Sequence, residues 1–563
     1  MSRQHHNIAF IILLLSIAAI ATWLLFFSTP QGLGLSDDSI AYIAGARSLM
    51  QGTGYRELWL ASSQPVTHFP PGLSSVLATI GLLIGMDPLR GVRLLNGLLF
   101  GGNVILMGML GSHTLASKPG GIFTALIFAS NASLLRLHTD AMSEPLFIFL
   151  TLVAFLVFAR YSLQLFATPE NQTHPRNSIS LFNKPNFWLV LTGCMTGLAY
   201  LTRYAGLALA VAFILLLLLI HKDWSTRFTS AGLFLGSFLP WLLAWSVRNR
   251  LLGGTSTNRA LQFHPISVEN LEIAKYNISE FLIPIESWRR TLFNLPGFFE
   301  ALIFLVGMGG LMLLIRACIK MVRKTPDNQT DIISLLFGLY AISYLGSVIF
   351  AMTFFDASTK FRLRILAPSY VCFLFLLVSG ALWLLRIQTK QNLRAIHPIS
   401  NKRAGVKSKK EKKNKTNPWS WILVSAGLVW IGLSIFDTSQ VVATLRKGGE
   451  GYASFQWYDS KAMEFLRNVS PDLKIYTNEP GAVYLYTNRG GYVLPTRFDP
   501  VTAQERPGFQ EGVAIVQRDV RSGTAVLAVF DGGETQPEDV ASLTEGLYLA
   551  HKSSGDAIYL ATP

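Results

Sequence analysis

The chain has 563 residues, half of them hydrophobic and only 14% charged, with a formal net charge of +15. The charged share is far below the roughly 25% of soluble proteins and the mean hydropathy is positive, which excludes a soluble globule of this size. The 46 Gly and 25 Pro are scattered, which excludes a collagen-like or low-complexity chain, so the sequence reads as a polytopic membrane protein.

The first element is an apolar run that follows Met1–His6 and ends at Phe27. It is too long for a signal-peptide core and lacks a small-residue cleavage site, so it is expected to be a retained first span. Just beyond it, Ser36-Asp37-Asp38-Ser39 has the pattern of an N-cap with two acids in the first turn of a short helix. Adjacent residues point in different directions on a helix, so at most one of the two carboxylates should face a reacting atom. His68-Phe69-Pro70-Pro71-Gly72 then gives an extended approach to a short apolar segment, 72–86. As a phosphate ligand His68 would have to be protonated or donate from one ring nitrogen.

Apolar stretches long enough for a bilayer fall near 8–27, 91–112, 120–137, 143–162, 187–203, 205–221, 229–247, 297–316, 333–353, 365–386 and 419–437. The 187–221 stretch is divided at Thr202-Arg203-Tyr204, because it is too long for one helix. Loop charge settles 72–86. If it does not cross and the N-terminus is cytoplasmic, the loops carrying Lys118, Arg160/Arg176/Lys184, Lys222/Arg227, Arg316/Lys320/Arg323/Lys324 and the segment 387–418 all lie inside. A crossing would move every one of them outside, against the positive-inside bias. The segment 72–86 is therefore expected to be interfacial or re-entrant.

The basic loop 387–418 holds ten Lys/Arg (Lys390, Arg394, Lys402, Arg403, Lys407, Lys409, Lys410, Lys412, Lys413, Lys415) against Glu411. Its place between two spans makes it a topological signal rather than a nucleic-acid site. Cys194, Cys318 and Cys372 show no metal-ligand spacing and imply no disulfide framework.

The expected fold is an all-α polytopic membrane protein of about eleven transmembrane helices plus an interfacial helix. It is followed by a small extracytoplasmic α/β domain, with the division at 1–437 and 438–563. Outer loops are expected at 28–90, 248–296 and 354–364. In the C-terminal part, runs at Leu473–Thr477, Ala482–Tyr486, Val513–Gln517, Thr524–Phe530 and Ala557–Leu560 read as β-rich, and Ser460–Arg467 as helical.

Polar residues kept near an apolar boundary are functional candidates. Four groups fall on the expected outer side: Asp37-Asp38, His68, the stretch Arg136 to Phe147 with Asp140 and Glu144, and Asp356 to Pro368 with Lys360, Arg362 and Arg364. Cations retained outside against the charge bias suggest a bound anion such as a lipid phosphate. Carboxylates beside them could activate an acceptor hydroxyl or amine.

Asp37-Asp38 with Tyr42, Ala46 and Gly52-x-Gly54-Tyr55, then Phe69-Pro70-Pro71-Gly72, Ser143-Glu144-Pro145-Leu146-Phe147, Gly197 to Tyr204 and Arg364-x-Leu-x-Pro368 resemble the GT-C glycosyltransferase superfamily over about residues 1–385. The nearest branch looks like the bacterial protein O-mannosyltransferase and lipid A aminoarabinose transferase relatives. The resemblance implies transfer of a sugar from a polyprenyl-phosphate donor, at the outer face of the plasma membrane (the inner membrane where there are two), to a glycan, lipid or protein acceptor. It puts the catalytic carboxylates at Asp37 and Glu144 and places Arg364 near the lipid phosphate; Asp38, Tyr42, His68, Arg203, Tyr204 and Arg362 are the further substrate-binding candidates.

Two departures stand out. Relatives usually carry Asp-Glu where this chain has Asp37-Asp38, and the aminoarabinose branch has a Lys before its Pro-Pro where this chain has His68. The phosphate grip is accordingly read as Arg203, Arg362 and Arg364. No cofactor is demanded; a divalent cation is an open alternative, for which Asp37 and Glu144 alone make a poor site. A transporter or flippase of an anionic or lipid-linked substrate is the rival reading. It would place ionisable groups at mid-membrane in two related halves, which the sequence does not show.

Overall fold

The structure is a computed structural model describing residues 3–166, 184–255, 261–323, 329–396, 418–499, 501–502, 504–531, 536–553 and 555–561. Its helices are α1 (Arg3–Ser28), α2 (Asp37–Met50), α3 (Gly72–Ile84), α4 (Pro88–Thr114), α5 (Lys118–Ala129), α6 (Ala132–Thr139), α7 (Glu144–Leu165), α8 (Pro185–Thr202), α9 (Gly206–Ile220), α10 (Trp224–Gly253), α11 (Val268–Leu282), α12 (Glu286–Phe293), α13 (Phe298–Val322), α14 (Gln329–Phe354), α15 (Leu363–Ile396) and α16 (Pro418–Gly448).

Eight of these are long and apolar enough to cross a membrane: α1, α4, α7, α10, α13, α14, α15 and α16. The expected span at 120–137 is not one straight helix. It is the pair α5 and α6, bent by 60°. The break falls where Asn131 leaves the helix to cap α6, its Oδ1 accepting the Leu134 N–H at 3.0 Å. The expected spans at 187–203 and 205–221 are the 18-residue α8 and the 15-residue α9, which turn at Arg203–Ala205.

The 13-residue α3 rises only about 20 Å at 1.5 Å per residue, too short for a hydrocarbon core of about 30 Å. It packs beside α2 at one end of the bundle, with Leu82, Leu83 and Ile84 exposed. That agrees with a segment that does not cross.

Alternating helix direction sends the starts of α7 and α15 to the end of the bundle that carries the C-terminal residues. Lys118, Arg160, Arg227, Arg316 and Lys320 gather at the other end, where Lys118 contacts Asn7. Arg176, Lys324 and the basic cluster Lys402–Lys415 lie outside the described residues.

Helix α16 continues through Thr438 to Gly448, so the C-terminal domain begins beyond it. The domain contains α17 (Phe455–Tyr458), α18 (Lys461–Asn468), β1 (Lys474–Thr477), α19 (Pro480–Thr487), β2 (Tyr492–Val493), α20 (Phe509–Arg521), β3 (Ala525–Val529), α21 (Pro537–Thr544), β4 (Tyr548–Ser553) and β5 (Asp556–Leu560). The strands form one mixed sheet in the order β2-β1-β3-β5-β4. Strand β1 runs parallel to β2 and β3 (Ile475 opposite Val526), and β5 runs antiparallel to β3 and β4 (Ile558 opposite Ala528). Central β3 is buried throughout, as expected of an uninterrupted apolar run.

Two of the expected β-rich runs are helices. Ala482–Tyr486 lies in α19, which Pro480 opens in its first turn. Val513–Gln517 lies in α20, where Phe509, Val513, Val516 and Val520 form a buried stripe of helical period that outweighs the β-branched composition.

Candidate active site

The site is built where the loop after α1 meets the loop before α7. Gly34 N–H donates to Thr139 O at 2.8 Å and Ala141 N–H to Gly34 O at 2.9 Å, which ties the two loops together. From below, the buried Asn96 of α4 donates to the carbonyls of His138 (3.0 Å) and Asp140 (2.7 Å). His138 itself is a core residue, held between Asn103 Nδ2 and Leu134 O.

These fixed loops launch two helices, and each brings acids. At the start of α2 the Ser36 N–H donates to Ser39 Oγ at 3.1 Å, setting the first turn that carries Asp37 and Asp38. The two carboxylates then diverge. Asp38 Oδ2 pairs with Arg364 Nη1 at 2.8 Å, across 326 residues of sequence. Asp37 Oδ1 instead accepts the backbone N–H of Gly481 at 3.0 Å, at the start of α19 in the C-terminal domain.

Glu144, in the first turn of α7, is completely buried and pairs with Arg203 Nη1 at 2.6 Å. The same guanidinium donates to Ser143 Oγ (3.1 Å), which also accepts the Tyr42 hydroxyl (3.2 Å). Burial raises the Tyr42 hydroxyl to about 12, so it remains a neutral donor at physiological pH. Arg203 can hold this position because it leaves the helix as the C-cap of α8, with extended backbone.

The C-terminal domain closes one side. Tyr452 N–H donates to Leu35 O at 2.9 Å, and its hydroxyl contacts Glu479 and interacts with Asp37. Burial, and the carboxylates of Asp37 and Glu479, push the Tyr452 hydroxyl well above its ordinary range. Gly451 sits at φ +56° with no room for a Cβ against Leu35 O, which accounts for a glycine at this crossing. Asp140 is also raised, first by burial and then by the nearby acids Glu450 and Glu144, so it keeps its proton to higher pH than an ordinary aspartate.

Of the candidates read from sequence, Asp38, Tyr42, Glu144, Arg203 and Arg364 therefore converge, while Asp37 beside them turns to the C-terminal domain. Three others do not reach this group. His68 faces Glu57, Nδ1 to Oε1 at 3.5 Å. The Tyr204 hydroxyl donates to Thr67 O at 3.2 Å and accepts from Trp245 Nε1 at 3.0 Å, fixing the loop before Pro70. Arg362 is exposed and its side chain makes no polar contact among the described residues, while the neighbouring Lys360 pairs with Glu269 at 2.9 Å. Residues that sequence reasoning missed, Glu450, Tyr452, Glu479 and Gly481, come from the C-terminal domain and its hinge. No local motif marks them. Among the described residues, no three His, Cys, Asp or Glu side chains are arranged to hold a metal ion.

Residues 72–248 match the family model of the dolichyl-phosphate-mannose-protein mannosyltransferases. That segment, from α3 into α10, contains Glu144 and Arg203 but not the Asp38–Arg364 pair. No curated protein matches the chain significantly by sequence. Among solved structures, it is similar to ArnT from Cupriavidus metallidurans in the apo state, with 13% identity, TM-score 0.54 and 99% of each chain covered. ArnT bound to undecaprenyl phosphate gives 14% identity and TM-score 0.52 over 99% of this chain and 98% of that one. The archaeal oligosaccharyltransferase AglB from Archaeoglobus fulgidus, in complex with an inhibitory peptide and a dolichol-phosphate, gives 12% and 0.52 over 92% and 69%. At such identities the structural likeness is one of fold, and it extends beyond the segment matched by the family model. Over residues 72–248 the chain is thus similar in sequence to the dolichyl-phosphate-mannose-protein mannosyltransferases, and as a whole it has the fold seen in the ArnT and AglB structures.

Proposed function

We propose that the protein transfers a sugar from a polyprenyl-phosphate donor to a hydroxyl or amine acceptor, at the membrane face that carries the C-terminal domain. Arg364 and Arg203 hold the donor phosphate, and Asp38 is the base. The single observation that carries this reading is the Asp38–Arg364 pair at 2.8 Å, half-open to solvent and adjoining the buried Glu144–Arg203 pair. A phosphate can replace the Asp38 carboxylate on Arg364, and its arrival frees that carboxylate to accept a proton. The bound lipid phosphates of the ArnT and AglB structures support the donor class.

In the step itself, the acceptor oxygen or nitrogen attacks the anomeric carbon as its proton passes to Asp38. The bond from that carbon to the phosphate oxygen breaks, the configuration inverts, and the polyprenyl phosphate leaves against the two guanidinium groups. Glu144 keeps Arg203 extended toward the leaving group; Ser143 and Tyr42 fix its rotamer. We assign the base to Asp38 rather than Asp37 because the Asp37 carboxylate is taken by Gly481 and Tyr452. The face is assigned as extracytoplasmic, with a cytoplasmic N-terminus, because Lys118, Arg160, Arg227, Arg316 and Lys320, beside the connections between spans, lie at the opposite end.

Transfer from a labelled undecaprenyl-phosphate sugar, followed in membranes, tests the proposal. Loss of transfer in Asp38→Asn and Arg364→Ala with unchanged folding supports it. Full transfer in both variants overturns it. The transporter reading fits less well, because the ionisable residues collect at one end of the bundle instead of in broken helices at its middle.

A further inference from the structure

Arg364 stands in a turn of α15 that its own helix holds weakly. The helix opens at Leu363, so the first N–H groups have no helical acceptor, and Pro368 lacks the N–H that would bond the Arg364 carbonyl four residues back. One support comes from α14, whose Tyr344 hydroxyl donates to Ile365 O at 2.8 Å. The others come from the outer segment 355–362 that leads into the turn.

That segment is gripped along its length. Where α14 ends, Gln262 N–H donates to Phe354 O (2.8 Å) and His264 N–H to Thr353 O (2.7 Å); further on, the C-terminal domain accepts the Ala357 N–H on Val501 O at 2.9 Å. Over the last residues two asparagine side chains of α11 stand in for a neighbouring strand. Buried Asn270 donates from Nδ2 to Thr359 O at 3.1 Å and accepts the Phe361 N–H on Oδ1 at 2.9 Å. Asn277 donates from Nδ2 to Phe361 O at 2.8 Å and to Ile273 O of its own helix at 3.0 Å. Seven residues apart, the two lie on one face of α11. Both backbone polar groups of Phe361 are therefore held by amide side chains, three residues before Arg364. Asparagine is a weak helix former, because its side chain competes for nearby backbone groups. Two of them on one face of a 15-residue helix work against that helix, and what they gain instead is the hold on 359–361.

We infer that Asn270 and Asn277 are positioning residues for Arg364. They fix the 359–361 backbone, and through it the direction from which the guanidinium meets Asp38 and the donor phosphate. The inference rests on the transferase reading, which places Arg364 on that phosphate. A guanidinium recognises phosphate through a planar fork of hydrogen bonds, and those bonds weaken steeply with misalignment, so a small shift of the turn should be felt in donor binding.

The test measures undecaprenyl phosphate binding to the full chain in detergent micelles, beside its thermal midpoint. Asn270→Ala and Asn277→Ala should each weaken binding by about threefold to tenfold, the range of one or two neutral hydrogen bonds. Asn277→Gln, which can still donate to Phe361 O, should recover part of the loss. Lys275→Ala, on the same helix but paired with Glu272 and Glu300, should bind as wild type does. In the Arg364→Ala background neither asparagine substitution should weaken binding further, because the residue they act through is gone. A merely structural role would lower the midpoint and weaken the Arg364→Ala chain again, through Arg203.

Arg364→Ala binding weakly while both asparagine variants bind as wild type overturns the positioning role alone. Equal weakening by Lys275→Ala, or a further loss in either double variant, also overturns it. Arg364→Ala binding as tightly as wild type removes the phosphate role itself, and the positioning role with it. Should Asn270→Ala fail to fold, Asn277→Ala, at a half-buried side chain, decides on the same terms.

Discussion

The backbone N–H of Gly481 donates to Asp37 Oδ1 at 3.0 Å, joining the first turn of α19 to the first turn of α2 across 444 residues of sequence. A carboxylate at a helix N-terminus is favoured by the unpaired N–H groups there, so Asp37 acts as a cap supplied from outside α19. A Cβ on Gly481 would run into that carboxylate and crowd Tyr452. Gly481→Ala is therefore expected to loosen the docking of the C-terminal domain by about 1–3 kcal/mol, the usual cost of overpacking. Limited proteolysis should show faster cleavage near Gly449–Ser454, with the sheet itself still protected. Unchanged cleavage would mean that the docking does not depend on this contact.

That contact also explains what could be read from the sequence. Hydropathy and loop charge located the membrane helices and kept α3 from crossing, because those signals are local and summed over many residues. The acids near Ser36 and Ser143 and the arginine before Pro368 stood out for the same reason. Which of two adjacent aspartates faces Arg364 is decided by Gly481 and Tyr452, and nothing near Asp37 announces them. Asn131 looked like part of a span because its flanks are apolar, yet it ends α5 and caps α6. In the C-terminal domain, β-branched composition concealed the helical stripe of α20. His68 and Tyr204 were plausible ligands by type, but each is occupied by its own loop contacts.

The divergence of the acidic pair gives a sharp comparison. Asp38→Asn removes the proposed base while leaving a side chain that can still hydrogen-bond Arg364. Transfer should fall by about 10²–10⁴-fold, the usual range for losing a general base. Asp37→Asn keeps an acceptor oxygen for Gly481 and should cost less than about tenfold, chiefly through weaker docking. Single-turnover rates with a labelled donor measure both. A larger loss in Asp37→Asn than in Asp38→Asn would reverse the assignment.

The Glu144–Arg203 pair is buried at 2.6 Å, and the Glu144 side chain has no exposure. Removing one partner of such a pair leaves the other charge without compensation, at about 3–5 kcal/mol. Glu144→Gln should therefore lower the thermal midpoint of the purified chain as well as transfer. Arg203→Lys keeps the charge but loses the planar guanidinium, whose Nη1 reaches both Glu144 and Ser143, so stability should fall less and donor binding more. Scanning fluorimetry beside undecaprenyl-phosphate binding separates the two effects. A Glu144→Gln chain as stable as wild type would contradict the buried-pair argument.

Acid sensitivity of the C-terminal domain follows from Asp519. Its Oδ2 accepts from Lys474 Nζ and from the Tyr476 hydroxyl, each at 2.9 Å, joining α20 to β1. The Lys474 ammonium, ahead of the opposing effect of burial, holds the carboxyl below the usual aspartate range. A depressed folded-state pKa contributes stability that is present above the unfolded value, near 3.8, and is lost as pH falls through the lower folded value. The link should thus be intact from neutral pH down to about 4 and disappear below it. Because Lys474 is substantially exposed, its worth is about 1 kcal/mol. Asp519→Asn should be less stable than wild type at pH 7, and the gap should narrow as pH falls below about 4. Peptides from β1 and α20 in hydrogen-exchange experiments, compared at equal intrinsic exchange, report this locally. A gap that does not narrow as pH falls below about 4 would show that Asp519 acts through shape and not through its charge.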